Sequence, residues 1–304
     1  MTGSTAKSVG IVGLGAMGLG VARSLLRAGF VVHACDMRAE VLATIAADGA
    51  HPHQNPASLA SQVDALIVLV VNAEQTDAVL FGEHGAAQQM KPGSVVIASS
   101  TVPPHYAEEL GRKLAALGLQ HLDAPVSGGA ARAASGEMTI MASGAPETFA
   151  AVQDVLDAIS VKVYRLGDTS GMGSKVKMIN QLLAGVHIAA ATEAMALGIR
   201  AGIDPETLYE VISNSAGSSW MFQNRVPHIL AGDYKPLSAV NIFVKDLGIV
   251  LDSARKFTFP LPLTSAAHQM YLATSASGLG GEDDSAVIKM FQKLTGIELP
   301  NKED

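Results

Sequence analysis

Gly13-Leu14-Gly15-Ala16-Met17-Gly18 directly follows the apolar run 9–12 and opens a helix-like segment at 18–28. A G-x-G-x-x-G pattern between a strand and a helix constrains this chain more than any other feature. The first glycine permits the tight turn, and the second lets the backbone approach a pyrophosphate. The third lets helix and strand pack closely, so the diphosphate meets the free N–H groups and positive end of the helix. Asp36 ends a second strand (residues 30–35), 18 residues after Gly18. A carboxylate there binds a ribose 2′-hydroxyl and repels a 2′-phosphate, which favours NAD over NADP. Arg38 pulls the other way, because a nearby arginine can accept that phosphate. The expected cofactor contacts are Gly13, Leu14, Gly15, Ala16, Met17, Gly18 and Asp36.

The first half continues the alternation. Residues 38–47 read as a helix. Residues 65–71 (ALIVLVV) are apolar throughout, as in a central parallel strand covered on both faces. Residues 95–98, 121–124, 138–142 and 161–166 read as further strands, with a helix at 104–117. Strands alternating with helices imply a parallel, doubly wound sheet. After Gly167 the texture changes. Residues 172–201 contain no proline and read as one long helix. Asp204-Pro205-Glu206 signals the start of the next. More helices are expected at 240–256, 264–275 and 285–294. The expected domains are α/β over residues 1–168 and all-α over 169–304. The charged tail 300–304 reads as loose.

Hydrophobic residues make up 48% of the 304 and charged ones 16%, which supports a buried core and excludes disorder for most of the length. Acids outnumber bases 28 to 21, so no nucleic-acid partner is expected. The single cysteine, Cys35, cannot form an internal disulfide, and cysteine-type zinc sites are excluded. His51 and His53 flank a proline in what reads as a polar loop without a third ligand, so no metal is expected. The apolar stretch 182–203 carries His187, Thr192, Glu193 and Arg200 and reads as a buried soluble helix, not a membrane span. No leader pattern precedes the first strand, so a cytoplasmic protein is expected. No Ser-His-Asp signature for hydrolysis is present.

Four further segments carry chemistry. In residues 123–129 (DAPVSGG), Ser127, Gly128 and Gly129 can present a hydroxyl and closely approached N–H groups to a carboxylate. In residues 171–181 (GMGSKVKMINQ), Asn180 and Gln181 fall three and four residues after Lys177 and share its helix face, whereas Lys175 points elsewhere. In residues 243–247 (FVKDL), Asp246 either holds Lys245 by an ion pair or caps a helix. Residues 99–102 (SSTV) follow a strand end. In this order and spacing, and with the Gly13 loop, these segments resemble the β-hydroxyacid dehydrogenase family over nearly the whole chain.

That resemblance implies a Rossmann-type domain, a long interdomain helix and a helical C-terminal domain. It implies that Thr101 lies near the nicotinamide ribose and that Ser127, Gly128 and Gly129 bind the substrate acid group. It makes Lys177 the catalytic lysine. In oxidation its neutral amine would take the hydroxyl proton as hydride leaves carbon for NAD; in reduction the ammonium would return it. A positive nicotinamide and partial burial would both lower its pKa. Asn180 would orient the substrate or the lysine, with Gln181 assisting, and Lys245 would serve NAD or the substrate side of the cleft. The family usually forms homodimers or homotetramers. Two other classes stay open: an NADPH-dependent semialdehyde reductase, which Asp36 opposes, and a non-catalytic dinucleotide binder, which Lys177 opposes.

Substrate choice is expected from residues 214–241, which include Ser218, Ser219, Trp220, Gln223, Asn224 and Arg225. These polar groups suit a polyhydroxylated acid, because unpaired polar groups in a pocket are costly. Of these, Gln223, Asn224 and Arg225 are the expected substrate contacts. Residues 219–227 look most like the family branch that oxidises L-threonate beside its carboxylate. Erythronate, glycerate, tartronate semialdehyde and 3-hydroxyisobutyrate remain alternatives.

Overall fold

The computed structural model describes residues 7–300. Residues 1–6, where no leader pattern is expected, and 301–304 of the charged tail lie outside the described residues. The apolar runs of the first half pair into one sheet. In chain order the elements are β1 (Ser8–Val12), α1 (Gly18–Arg27), β2 (Val31–Cys35), α2 (Ala39–Ala47), β3 (His51–His53), α3 (Pro56–Ala60), β4 (Ala65–Val68), α4 (Ala73–Phe81), β5 (Val95–Ala98), α5 (Pro104–Ala115) and β6 (Gln120–Asp123). The strand order is β3-β2-β1-β4-β5-β6, with every pair parallel. The direction of winding reverses between β1 and β4, which opens a crevice beyond their carboxyl ends.

Strand alternation divides the apolar side chains between two faces. Ile11, Ile67 and Ile97 pack with Leu25 of α1 on one. Val12, Leu66, Val68 and Val96 pack with Leu59, Leu80 and Leu110 on the other. A second sheet follows, made of β7 (Val126–Ser127), β8 (Met138–Ala142) and β9 (Ser160–Arg165), with α6 (Gly129–Ser135) and α7 (Pro146–Ile159) between them. Its β7–β8 pair is antiparallel and its β8–β9 pair parallel.

Packing divides the chain between Lys177 and Met178, inside α8 (Met172–Arg200). The named elements of the second unit are all helical. They include α9 (Pro205–Ser213), α10 (Trp220–Leu230), α11 (Val240–Lys256), α12 (Pro262–Thr274), a 3₁₀ turn (Asp284–Val287) and α13 (Ile288–Thr295). Asp204 caps α9 by accepting the Thr207 N–H at 2.8 Å. By length and composition α8 could cross a membrane. Instead its Ile188 packs with Phe243, Leu247 and Tyr271, and its Met195 with Phe222, Val226 and Ile229, as a core helix does.

Two local expectations are corrected. The strand expected over 65–71 stops at Val68. Beyond it the Val70 N–H donates to Ser100 Oγ (3.2 Å) and the Val71 N–H to Gln75 Oε1 (2.9 Å), so side chains replace the sheet ladder. His51 and His53, expected in a polar loop, form β3 opposite His33 and Cys35. Rings of His33 and His53 share a hydrogen bond, Nδ1 to Nε2 at 2.9 Å. An exposed edge strand of three residues lacks the apolar alternation that announces a strand.

Candidate active site

The dinucleotide loop is built by close backbone approach. The Gly13 N–H donates to the Cys35 carbonyl at 3.0 Å. A Cβ on Gly18 would lie 1.9 Å from the Gly13 carbonyl oxygen, so only glycine lets α1 start there. A Cβ on Gly15 would meet nothing within 4 Å, so the backbone is open on that side. The first turn of α1 has no side-chain cap from Met17 and no acidic residue. No side chain of that turn therefore competes with an anion for its N–H groups. In contrast, α3 and α4 are capped by Asn55 and Asn72.

Asp36 sits beside this loop with its side chain 8% exposed. Its Oδ2 accepts the Leu14 N–H at 2.7 Å, and Arg38 closes on both oxygens through Nε (2.9 Å) and Nη2 (3.1 Å). Burial pushes this carboxyl up, but the hydrogen bonds from Arg38 and Leu14 outweigh it and hold its pKa below the ordinary value. An open glycine backbone, an uncapped helix start and a carboxylate at the end of β2 fit the diphosphate and ribose of a dinucleotide.

Thr101 is half-buried in the loop after β5. Its neighbour Ser100 ties that loop to the one after β4, accepting from the Val70 N–H and from Thr76 Oγ1. Ser127 ends β7. Gly128 (φ +138°) and Gly129 (φ +71°) follow in conformations that L side chains rarely adopt, and Gly129 opens α6. At the start of α8 the two lysines part. Lys175 forms a surface ion pair with Glu108 at 2.8 Å, with its side chain 44% exposed, whereas Lys177 is 7% exposed.

Within the second unit the expected residues gather around one carboxylate. Asn180 Nδ2 donates to Gln181 Oε1 at 3.0 Å. Gln181 Nε2 donates to Asp246 Oδ2, and Lys245 Nζ to Asp246 Oδ1, both at 2.5 Å. The choice left open for Asp246 thus resolves to an ion pair, and Asp246 is 2% exposed. On α10, Gln223 and Asn224 are exposed, and Gln223 Nε2 donates to Ser213 O (3.2 Å) and Ser218 Oγ (3.0 Å). Arg225, also an expected substrate contact, is ion-paired within its own unit. Its Nε and Nη2 meet the fully buried Asp284 at 2.6 and 3.2 Å, and its Nη1 donates to Asn224 Oδ1. The guanidinium holds α10 to the Asp284 turn.

Residues 8–167 match the sequence model of the NAD-binding domain of 6-phosphogluconate dehydrogenase. Residues 171–291 match that of the NAD-binding segment of NADP-dependent 3-hydroxyisobutyrate dehydrogenase. The chain is 66% identical to an L-threonate dehydrogenase of Cupriavidus necator, over 98% of this chain and 99% of that one. The chain belongs to the β-hydroxyacid dehydrogenase family. An L-threonate dehydrogenase of Escherichia coli K12 is 54% identical over 96% of both chains. A crystal structure of 3-hydroxyisobutyrate dehydrogenase from Salmonella typhimurium superposes with a TM-score of 0.90 at 54% identity, covering 93% of this chain and 99% of that one. This dehydrogenase therefore has the Rossmann-type first domain and helical second domain of its family, and it acts on hydroxy acids with a nicotinamide dinucleotide.

Two features of the dehydrogenase lay outside the sequence reasoning. Asp123, at the end of β6, accepts four hydrogen bonds, from the N–H groups of Gly171 and Ser174 and the hydroxyls of Ser174 and Ser143. Burial pushes its pKa up, and those bonds pull it back only in part. Asp284, the partner of Arg225, follows the glycine-containing stretch 278–281. No local pattern announces either partnership, since the partners lie far away in sequence.

Proposed function

We propose that this enzyme oxidises L-threonate to 2-dehydro-L-erythronate, with Lys177 as general acid/base and NAD preferred over NADP. The observation that carries the substrate is the likeness, over nearly the full length, to L-threonate dehydrogenases. Bound NAD supplies the hydride acceptor. The chain supplies the rest. Ser127 Oγ and the N–H groups of Gly128 and Gly129 bind the substrate carboxylate. The Lys177 amine takes the proton of the hydroxyl on the adjacent carbon and becomes an ammonium; in the reverse direction it returns that proton to the alkoxide oxygen. Asn180, three residues on in the same helix, orients the reacting group, with Gln181 assisting. Lys245, held by Asp246, serves the cofactor. Gln223 and Asn224 are the exposed amides offered to substrate hydroxyls.

The experiment that tests the substrate compares kcat/KM for L-threonate and 3-hydroxyisobutyrate with NAD. L-threonate is expected to be strongly preferred, and the reverse order would overturn the assignment.

Cofactor preference rests on Asp36. A charged hydrogen bond to the ribose is worth about 1.5–3 kcal/mol, roughly ten- to a hundredfold. Asp36→Ala is expected to reduce the ratio of kcat/KM with NAD to that with NADP by that factor. An unchanged ratio would place ribose selection elsewhere.

The protein is inferred to act in the cytoplasm as a homo-oligomer. Ile179, Leu183 and Leu197 are exposed along α8, and Phe257, Phe259 and Leu263 between and on the last helices of the same unit. Exposed apolar residues in such number support self-association. Sedimentation velocity should return a dimer or tetramer; a monomer would contradict this.

A further inference from the structure

Two residues at strand ends tie the start of α8 to the sheets. Asp123 closes β6 and Ser143 follows β8, and their backbones exchange N–H···O=C bonds of 3.0 and 2.9 Å. Asp123 Oδ2 accepts the N–H groups of Gly171 and Ser174, both at 2.9 Å, and Oδ1 accepts the Ser174 hydroxyl at 2.7 Å. Ser143 Oγ donates to Asp123 Oδ2 at 3.3 Å and accepts the Gly173 N–H at 3.0 Å. Three N–H groups that a helix start leaves without intrahelical partners are thus taken by one side-chain pair. The fit is tight: a Cβ on Gly173 would lie 2.4 Å from the Met141 carbonyl oxygen and 2.7 Å from that of Asp123. Asp123, Ser143 and Ser174 are each at most 2% exposed, so bulk water cannot replace these bonds.

The same junction carries the other part of the proposed chemistry. Ser127 comes four residues after Asp123, and β7 pairs with β8 through Ser127 and Thr139. Lys177 comes three residues after Ser174. The chain from Asp123 to Ser127 thus runs antiparallel along β8, from the Asp123–Ser143 junction that anchors α8 to the Ser127–Thr139 pair from which the carboxylate-binding loop departs.

We propose that Asp123 is a positioning residue for the acid/base lysine. By holding the first turn of α8 it sets where the Lys177 amine stands relative to the Ser127–Gly129 loop. This rests on the assignment of Lys177 as the acid/base group. A carboxylate that only held the fold together would change how much enzyme folds, but not the turnover of what has folded.

The test uses the full chain with NAD and L-threonate, and compares Asp123→Ala, Asp123→Asn, Ser174→Ala and Lys177→Ala. Folding is followed by circular dichroism, and competent enzyme is counted by NADH fluorescence. Misplacement by about 1 Å can cost roughly a hundredfold, so Asp123→Ala is expected to lower kcat per NADH site by about that factor. The KM for L-threonate should change far less, and the lysine limb of the pH–kcat profile should move. Asp123→Asn can accept the Gly171 and Ser174 N–H groups and donate to Ser174 Oγ. It is expected to recover kcat to within about tenfold of wild type. If Asp123→Ala does not fold, Ser174→Ala removes only the 2.7 Å hydroxyl bond; it is expected to lower kcat more mildly and move the same limb. Wild-type kcat and pH profile in folded Asp123→Ala, or in Ser174→Ala, beside an inactive Lys177→Ala, would overturn the positioning role and leave the lysine standing. An active Lys177→Ala would remove the lysine assignment and this inference with it.

Discussion

Lys177→Ala is expected to retain no more than about a thousandth of wild-type kcat with L-threonate, in the range of proton-transfer contributions of roughly 10²–10⁴. NADH affinity should stay within about twofold, because in the proposed mechanism the side chain serves the reacting hydroxyl and not the dinucleotide. The neighbouring lysine is the control. Lys175 forms an exposed ion pair with Glu108, and such surface pairs contribute about 0–1 kcal/mol. Lys175→Ala should therefore leave kcat nearly unchanged. Initial rates at 340 nm and NADH fluorescence titrations check both. Turnover within a few fold of wild type in Lys177→Ala would assign the proton transfer to another group.

Arg225→Ala should produce the largest loss of stability. Removing one partner of a buried ion pair costs about 3–5 kcal/mol, because the remaining charge stays buried without compensation. The remaining charge here would be Asp284, whose side chain is fully buried. Burial pushes its pKa up to about 6 even though Arg225 opposes the shift. A carboxyl with a raised folded-state pKa stabilises fully below its unfolded value, and that contribution is lost as pH rises through the folded value. Without Arg225 the folded value moves higher still. The loss in Arg225→Ala should therefore be full at pH 8 and clearly smaller at pH 5, where Asp284 is largely neutral. Urea unfolding of wild type and variant at both pH values measures the difference. An equal loss at both would mean that Asp284 does not carry the effect.

Much of the scaffold was legible from the chain because local and global signals agree there. The strands at Val95–Ala98 and Met138–Ala142 and the helix Val240–Lys256 have the limits that their apolar pattern predicts. The Gly13 loop announced itself because backbone contact demands glycine. Other parts carried conflicting signals. Helix α10 contains Pro227, which normally argues against a helix interior, although Ser219 caps its start. The segment 65–71 is apolar to its end, yet its last residues leave the sheet to meet Ser100 and Gln75. Among the candidate site residues, the spacing of Lys177, Asn180 and Gln181 is a local helical fact and could be read directly. The partnership of Gln181 with Asp246 spans 65 positions, that of Asp123 with Ser174 spans 51, and that of Arg225 with Asp284 spans 59. Only the folded chain brings such pairs together, so the sequence by itself does not reveal the buried partner of Arg225.

The most direct test of the central claim is the stoichiometry of the reaction itself. L-threonate is incubated with NAD and the enzyme, NADH is read at 340 nm, and the carbon product is identified by mass spectrometry. Oxidation at the carbon beside the carboxylate predicts one four-carbon 2-oxo acid per NADH, with no carbon dioxide released. Absence of NADH while another hydroxy acid turns over, or a three-carbon product with carbon dioxide, would contradict the proposed reaction.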